Sequence, residues 1–526
     1  MTIEQIKELT AKMNLAEKVG QIINYDLCNP DFDVSEFENI CMETHPGSIF
    51  VDSPGCVLKE MGDAERNRYL TDIADRYATV PTVVLSDGHI RGIRDLIPLM
   101  AWGAADDPEL TERYGVVYAE MMRKTGIGVF LGPVVDINYN KDNPITSLRA
   151  FSDDPDHVIK HGTRFIKGLN KNSNIIACCK HFPGDGTDDR NQHYCTTVNN
   201  KSKQEWMDTY GRVYREMFKS GAKAVMCAHI SLPSWQPEEE YDPINGYLPC
   251  ALRPTLMTDL LKGELGFDGC IISDAMNMVG AVSACKREEL GVRFIKAGGD
   301  MMLFAHPEDF YRIKAAVENG TISAERLDDA VTRVLIMKNA LGLLDGVPNI
   351  REDLTPSYPI NDIIEEAAAR TFAIERNADR VIPTDIKSGD RVLLINLTPE
   401  CRSTRRENRF DALRDALTER GMRVEVKTSP FPHYELETVC DDYELVLCCC
   451  AHIPGGNNGG TMRLGAEHMG PFWDGFGIQH PKFLYVSFGD PYKLYEHPFL
   501  RNYVNVYSSA DISMRAFVKL LFGEIK

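Results

Sequence analysis

The chain has 526 residues, so it is too long for one ordinary hydrophobic core, and two or three domains are expected. Its composition, 43% hydrophobic and 26% charged, is typical of a soluble globular protein, and it contains no apolar run of the length (about 18 residues) that predicts a membrane span. The net charge of -19 argues against a nucleic-acid groove, which needs a basic surface.

The first residues, 1–5, predict the start of a polar amphipathic helix and lack the apolar core of a secretion signal. Several of the 15 cysteines are adjacent in apolar runs, at 178–179 and 448–450, which is a poor geometry for a disulfide framework. We therefore expect buried thiols in a reducing cytoplasm. Because the Cys-x-x-Cys spacing of zinc sites is absent from the sequence, we expect no structural metal, and we expect no cofactor.

Eight β-like runs precede residue 310 and alternate with segments of helical period. The runs span residues 20–25, 47–51, 82–85, 127–135, 174–179, 222–227, 269–272 and 300–304, and the clearest helical segments span 107–125, 155–169, 203–221 and 252–265. Apolar strands that alternate with helices indicate a parallel sheet buried on both faces. Eight such units predict a (β/α)8 barrel of the TIM type over residues 1–345.

A helix predicted at 324–341 ends this region, and the Pro- and Gly-containing residues 346–360 predict a linker. A second pattern follows over residues 361–526, after a helix predicted at 360–375. Its strand-like runs span 391–397, 423–427, 445–450, 483–487 and 504–507, with a helix at 408–421. This order predicts a C-terminal doubly wound α/β sandwich domain.

Polar residues follow five of the predicted barrel strands, at the carboxyl ends where barrel enzymes place their chemistry. They are Asp87, Asp136, the pair Lys180-His181, His229 and Asp274. Any one of them could be a turn residue or a helix cap. The recurrence at five strand ends favours an active site.

Asp274 and His193 carry the chemistry that this arrangement suggests. A carboxylate at a barrel mouth can attack the anomeric carbon of a sugar, and a retaining glycosidase adds an acid/base partner. Imidazole titrates near neutrality and can fill that role, which makes His193 the first candidate. Alternatively, Asp274 caps the helix that begins near Met276, and His193 is a surface-loop residue.

Four further residues are candidate ligands of the sugar hydroxyls. Lys180 and His181 end a strand, Arg149 follows the polar run 143–148, and Asp87 follows another strand. Alternatively, the Lys180-His181 pair only bonds to neighbouring loops.

The chain resembles glycoside hydrolase family 3, in particular its bacterial β-N-acetylglucosaminidase branch. Residues 180–186, K-H-F-P-G-D-G, are similar to the family signature K-H-F-P-G-H-G, and residues 267–278 are similar to its nucleophile motif. Residues 97–110 and 132–136 resemble two further family segments, and residues 489–492 resemble a motif of the second domain. The resemblance covers nearly the whole chain.

The resemblance implies that Asp274 is the nucleophile and forms a glycosyl-enzyme intermediate. It also implies sugar-binding roles for Asp87, Arg149, Lys180 and His181. In this branch the acid/base is a histidine in an Asp-Ser-His sequence, and the spacing from the signature places His193 there.

Three positions depart from the family pattern. Asn191 stands where the branch has aspartate, Gln192 where it has serine, and Asp185 where the signature has its second histidine. An amide cannot stabilise the imidazole cation with a full charge, which should lower the pKa of His193 and weaken it as an acid. Either one of the acids Asp185, Asp188 and Asp189 supplies the missing carboxylate, or one of them is the acid, or the site is degraded.

A further departure concerns residues 87–91, D-G-H-I-R, which replace a D-x-E-G-G run, so outer contacts of the sugar differ.

The sequence therefore predicts a cytoplasmic retaining β-glycosidase that acts on small N-acetylglucosaminides such as cell-wall fragments, with no nucleic-acid or membrane partner. One alternative is a β-glucosidase-like member whose acid is a carboxylate of the second domain, near the glycine loop 453–460 and Glu467. Another is a non-catalytic sugar sensor. The aglycone, the oligomeric state and the choice between water and phosphate as acceptor are left open.

Overall fold

The computed structural model describes residues 1–28, 32–52, 56–88, 96–172, 174–398, 409–428, 440–452 and 477–525. These residues form two compact units. The first comprises Met1–Ile93, Thr111–Ile137 and Asp153–Ile360, and the second comprises Arg94–Leu110, Asn138–Ser152 and Asn361–Lys526. The domain limits at 345 and 360 stay a prediction.

Strands of the described residues are numbered in chain order. They are β1 Asn24–Asp26, β2 Ser48–Phe50, β3 Val83–Ser86, β4 Ile127–Phe130, β5 Ile176–Phe182, β6 Thr197–Val198, β7 Ala224–Cys227, β8 Ile230–Ser231, β9 Tyr241–Asp242, β10 Gly246–Tyr247, β11 Cys270–Ser273, β12 Ala373–Asn377, β13 Arg391–Asn396, β14 Arg423–Thr428, β15 Leu445–Cys450, β16 Phe483–Ser487 and β17 Asn502–Asn505.

The α-helices alternate with these strands. They span Ile3–Lys12, Leu15–Gln21, Val34–Thr44, Asp63–Asp75, Leu99–Ala105, Pro108–Lys124, Pro155–Lys171, Lys203–Trp206, Arg212–Lys219, Val279–Val282, Leu290–Ala297, Pro307–Glu318, Ala324–Ala340, Ile360–Ala368, Asp411–Glu419, Lys493–Glu496 and Asp511–Leu521, with π-helical stretches at Met207–Gly211 and Thr255–Glu264. None of the described helices has both the length and the apolar character needed to cross a bilayer.

The first two helices begin at side-chain caps. Thr2 and Gln5 form a reciprocal capping box, and Asn14 and Glu17 form a second one. Each box satisfies backbone N–H groups that the first turn of a helix leaves without partners. The polar residues at the amino terminus thus explain where these helices start.

The first unit contains a curled parallel sheet with the order β1-β2-β3-β4-β5-β7-β11. All seven residues of β5 are buried, as expected for a strand covered on both faces. The eighth predicted run, residues 300–304, forms hydrogen bonds to both edges of this sheet, at β11 and beside β1. Met301 N donates to Ile271 O in β11 at 3.0 Å, and Met302 N donates to Ile22 O, two residues before β1, at 2.8 Å. The parallel α/β arrangement predicted for this region is confirmed.

The second unit contains a sheet with the order β12-β17-β16-β15-β13-β14. All its pairs are parallel except β12 with β17. Alternate residues of β13 enter two separate hydrophobic cores, Val392 and Leu394 on one face and Leu393 and Ile395 on the other. Both faces of this sheet are therefore buried. The 448–450 cysteines are divided between the same two cores.

One predicted element is partly wrong. The helix predicted at 360–375 ends at Ala368, and residues 373–377 form the edge strand β12. Helix-favouring alanines at 367–369 suggested a longer helix. The antiparallel partner β17 supplies backbone hydrogen bonds that the local sequence does not reveal.

A charged side chain lies in the core of the first unit. Lys338, on the helix Ala324–Ala340, is fully buried, and its Nζ donates to Gln21 Oε1 at 2.7 Å and to Pro81 O at 2.8 Å. Burial lowers the pKa of Lys338 from 10.5 to about 7. Neither hydrogen-bond acceptor carries a full charge.

Lys338→Met should change how stability depends on pH. Between about pH 7 and pH 10 the unfolded chain binds a proton that the folded chain lacks, so this lysine makes the free energy of unfolding rise with pH, by up to about 1.4 kcal/mol per unit. Urea unfolding across this range should show a flatter slope for the variant. Lys314→Met, at a partly exposed lysine, is the control and should keep the wild-type slope. Equal slopes for Lys338→Met and wild type would contradict this account.

Candidate active site

Polar residues meet at the carboxyl ends of the parallel strands in the first unit. Asp87 follows β3, Asp136 follows β4, Lys180 and His181 lie near the end of β5, His229 follows β7, and Asp274 follows β11. Because the strands are parallel, their carboxyl ends lie at one end of the sheet. The structure therefore brings together the strand-end residues that the sequence identified.

Lys180 and Asp87 form an ion pair across the sheet. Lys180 Nζ lies 2.5 Å from Asp87 Oδ1. The lysine side chain is 7% exposed, while the aspartate side chain is 42% exposed. The buried lysine therefore holds the more exposed carboxylate in place.

Asp136 orients His181. One carboxylate oxygen of Asp136 lies 2.6 Å from His181 Nδ1, and the other accepts His181 N at 3.0 Å and Asp185 N at 2.8 Å. This carboxylate is fully buried. Because Asp136 engages Nδ1, the other ring nitrogen, Nε2, is the one that can bond to a different group. The sequence placed Asp136 at a strand end but gave it no role.

Asp274 is kept ionised by its neighbours. Burial alone opposes ionisation, but the nearby His181 and His229, together with the Ala275 amide, hold the pKa of the Asp274 carboxyl below its usual value. Ala275 N donates to Asp274 Oδ1 at 2.8 Å. An ionised carboxylate is the state that a nucleophile requires.

His229 supports the segment that carries Asp274. Its Nε2 lies 3.0 Å from Ala275 O, and burial lowers its pKa. The hydrogen bond to a backbone carbonyl indicates that Nε2 carries the proton. The sequence indicated that His229 follows a strand but did not reveal this positioning role. The feature of the sequence that could have indicated this role is that His229 lies two residues after β7.

The loop after β5 places His193 against Asn191. Asn191 Oδ1 lies 2.8 Å from His193 Nδ1 and also accepts His193 N at 2.9 Å. Since an amide oxygen only accepts, Nδ1 carries a proton, and Nε2 is the nitrogen that can exchange one with a ligand. The amide thus occupies the place where the sequence suggested a carboxylate from one of three aspartates.

Those three aspartates have different surroundings. Asp185 is buried and accepts Gly186 N at 2.7 Å. Asp188 is paired with Arg190 at 2.6 Å, and although burial opposes ionisation, its hydrogen bonds from Arg190 and Val198 lower its pKa. Asp189 is exposed. An aspartate held ionised by an arginine is a poor proton donor, which argues against Asp188 as the acid.

The His193 loop packs against the segment that follows Asp274. Val279 N donates to His193 O at 3.1 Å. A Cβ at Gly280 would lie 2.5 Å from Gln192 O, so only glycine allows this approach. The segments that carry the acid/base candidate, His193, and the nucleophile candidate, Asp274, are therefore packed against each other.

Of the other candidate residues, Arg149 lies away from these strand ends in the chain. Arg149 belongs to the second unit, where it ends the 3₁₀ turn Ser147–Arg149 and donates to Ile145 O at 3.2 Å. Residues 89–91, the glycine loop 453–460 and Glu467 lie outside the described residues.

Comparison with known proteins identifies the family. Residues 14–337 match the model of the glycosyl hydrolase family 3 N-terminal domain. A β-N-acetylglucosaminidase/β-glucosidase of Cellulomonas fimi is 30% identical over 99% of this chain and 94% of its own length.

Two solved structures are similar along almost their whole length. A β-glucoside phosphorylase, BglX, has a TM-score of 0.85 and 26% identity, and the match covers 100% of this chain and 94% of that one. A family 3 β-N-acetylglucosaminidase of Paenibacillus sp. has a TM-score of 0.80 at 22% identity, covering 98% and 97%, which shows the shared fold. With its parallel sheet and matching catalytic domain, the chain belongs to family 3 of the glycoside hydrolases.

Proposed function

We propose that the protein is a retaining β-glycosidase that removes terminal N-acetylglucosamine, or a related β-linked sugar such as glucose, through a covalent intermediate on Asp274. The observation that carries this proposal is the Asp274 carboxylate, which ends a barrel strand and is kept ionised by two histidines. The name of the Cellulomonas fimi relative, which mentions both sugars, supports this substrate range. A small carbohydrate substrate in the cytoplasm is part of the proposal.

The reaction has two steps. An Asp274 oxygen attacks the anomeric carbon, the glycosidic bond breaks, and His193 Nε2–H gives its proton to the leaving oxygen. Water then attacks the anomeric carbon, its proton passes to Nε2, and the ester to Asp274 breaks. Net retention follows from two inversions.

Four residues hold the sugar in this proposal. Asp87, fixed by Lys180, accepts hydrogen bonds from hydroxyl groups, and His181 presents Nε2 because Asp136 holds Nδ1. Arg149 is a further proposed ligand. Supporting these roles, Lys180 and His181 are buried, so their geometry is set before substrate binds.

The same proposal extends to the architecture. We infer that the sheet of the first unit is the (β/α)8 barrel, closed by the residues that bond β11 to β1. The second sheet then belongs to the C-terminal α/β sandwich domain, with the division at residues 346–360.

Asp274→Ala should abolish cleavage of an aryl β-glycoside, with a loss of at least about 10³-fold in kcat, because the first step has lost its nucleophile. Treating wild type with a 2-fluoro glycoside should attach the sugar to the peptide that contains Asp274, as read by mass spectrometry. Asp268→Asn, at an exposed aspartate of the same motif, is the control and should keep activity. Wild-type turnover by Asp274→Ala would refute the mechanism.

His193→Ala should slow glycosides with poor leaving groups by roughly 10²–10⁴-fold and affect activated aryl glycosides much less, because only poor leaving groups need a proton. The measurement is kcat of wild type and variant on a series of aryl glycosides whose leaving groups differ in pKa. Asp189→Asn tests the exposed acid of the same loop and should behave as wild type. If Asp189→Asn instead slows the glycosides with poor leaving groups and His193→Ala does not, Asp189 is the acid.

Phosphorolysis is a second candidate function, favoured by the neutral Asn191 beside His193. In the second step, an acceptor anion must approach the anomeric carbon. A carboxylate at position 191 would repel phosphate, whereas an amide does not. The similar structure named as a β-glucoside phosphorylase supports this candidate.

Phosphate should then yield a glycosyl phosphate as product, detectable by phosphorus NMR. Asn191→Asp should reduce the ratio of phosphorolysis to hydrolysis roughly tenfold, because it adds one negative charge beside the acceptor. Asn200→Asp adds the same charge at an exposed position nearby and should leave the ratio unchanged. If wild type makes only free sugar in phosphate buffer, phosphorolysis is excluded.

A further inference from the structure

Two cysteines lie together beside the sugar-binding end of the sheet. Cys28 follows β1, Cys56 follows β2, and their Sγ atoms are 2.7 Å apart. A disulfide bond needs about 2.05 Å, so a small movement joins them. The sequence predicted buried thiols and gave no role to this pair.

The backbone fixes the two cysteines in this position. Leu27 N donates to Phe50 O at 3.1 Å, and Val57 N donates to Leu27 O at 3.0 Å. The residues adjacent to both cysteines are therefore tied to each other and to β2. These backbone hydrogen bonds therefore hold the two sulfur atoms close together.

The backbone of Asp52 contacts the pair through both its N–H and its carbonyl oxygen, which lies 2.8 Å from Cys56 Sγ. Asp52 N lies 3.0 Å from Cys28 Sγ and 2.8 Å from Cys56 Sγ, and can donate to either. The hydrogen bond from Cys28 lowers the pKa of the Cys56 thiol, despite its burial. Cys28 is only partly buried, which gives a small oxidant access to the pair.

Asp52 also connects the pair to the sugar-binding residues. Its Oδ1 accepts Ser86 Oγ at 2.7 Å, and Ser86 Oγ accepts Gly88 N at 3.0 Å. Asp87, which pairs with Lys180, lies between those two residues in the chain. A movement of Asp52 would therefore shift Ser86 and Gly88, the residues on either side of Asp87.

We infer that Cys28 and Cys56 are a modification site, which hydrogen peroxide converts to a reversible disulfide that weakens sugar binding at Asp87. The second part of this inference rests on the proposed function. One sulfur, as thiolate, attacks peroxide and becomes a sulfenic acid, while the other peroxide oxygen leaves as water after protonation. The second sulfur attacks the sulfenic sulfur, the S–S bond forms, and a second water leaves. The two sulfurs together lose two electrons, which reduce the peroxide.

The test treats the full-length protein with hydrogen peroxide and maps its peptides by mass spectrometry after alkylation of the remaining thiols. We expect a Cys28–Cys56 cross-link that dithiothreitol reverses. Oxidised wild type should show a rise of roughly tenfold in KM for an aryl glycoside, from displacement of Asp87, with little change in kcat. Cys28→Ser and Cys56→Ser should resist the effect, and Cys285→Ser, at a partly buried cysteine, should respond as wild type.

The outcomes separate the inference from the proposed function. If both thiols remain open to alkylation at peroxide concentrations that oxidise Cys285, the modification site is refuted. A cross-link with unchanged KM refutes the connection to Asp87. Because the cross-link is read by mass, a protein that forms it but cleaves no glycoside contradicts only the proposed function.

Discussion

The two carboxylate oxygens of Asp136 accept hydrogen bonds from His181 Nδ1, His181 N and Asp185 N, and the side chain is fully buried. A buried carboxylate is costly unless it is paired, and breaking such a pair costs about 3–5 kcal/mol. One group thus sets the orientation of the His181 ring and the start of the next loop. The ring of His181 and the backbone at Asp185 are both positioned by this one carboxylate.

The charges at the strand ends are arranged around Asp274. Lys180, His181 and His229 all favour its ionised form, while Asp87 and Asp136 partner two of these three groups. Asp87 and Asp136 thus each have a basic partner, and Asp274 is the third carboxylate of the cluster, whose ionised form the same basic side chains favour.

The sequence predicted the parts of this protein that follow from local pattern. Apolar runs indicated the parallel strands, and the polar residue after each run indicated where the site lies. Strand β12 was missed because its partner β17 is more than a hundred residues away in the chain. The contact between Asp136 and His181 was missed for the same physical reason, since no local pattern shows which strand ends bond to each other.

The His193 loop shows why a family pattern alone was ambiguous. Three departures from it, Asp185, Asn191 and Gln192, suggested either a decayed site or a relocated acid. In the structure they complete a hydrogen-bonded loop: Gln192 Nε2 donates to Asp185 Oδ2 at 3.4 Å, Gln192 Oε1 accepts His229 N at 3.3 Å, and Asn191 holds the imidazole.

Gln192 thereby joins the loop after β5 to the end of β7, beside the segment that carries Asp274. Random loss of function leaves buried polar groups without partners, whereas each of these three side chains has a hydrogen-bond partner in the loop. These contacts favour an intact loop over a decayed one. The amide at position 191 holds the imidazole without adding the negative charge that an aspartate would, a difference that bears on the proposed choice between water and an anion as acceptor.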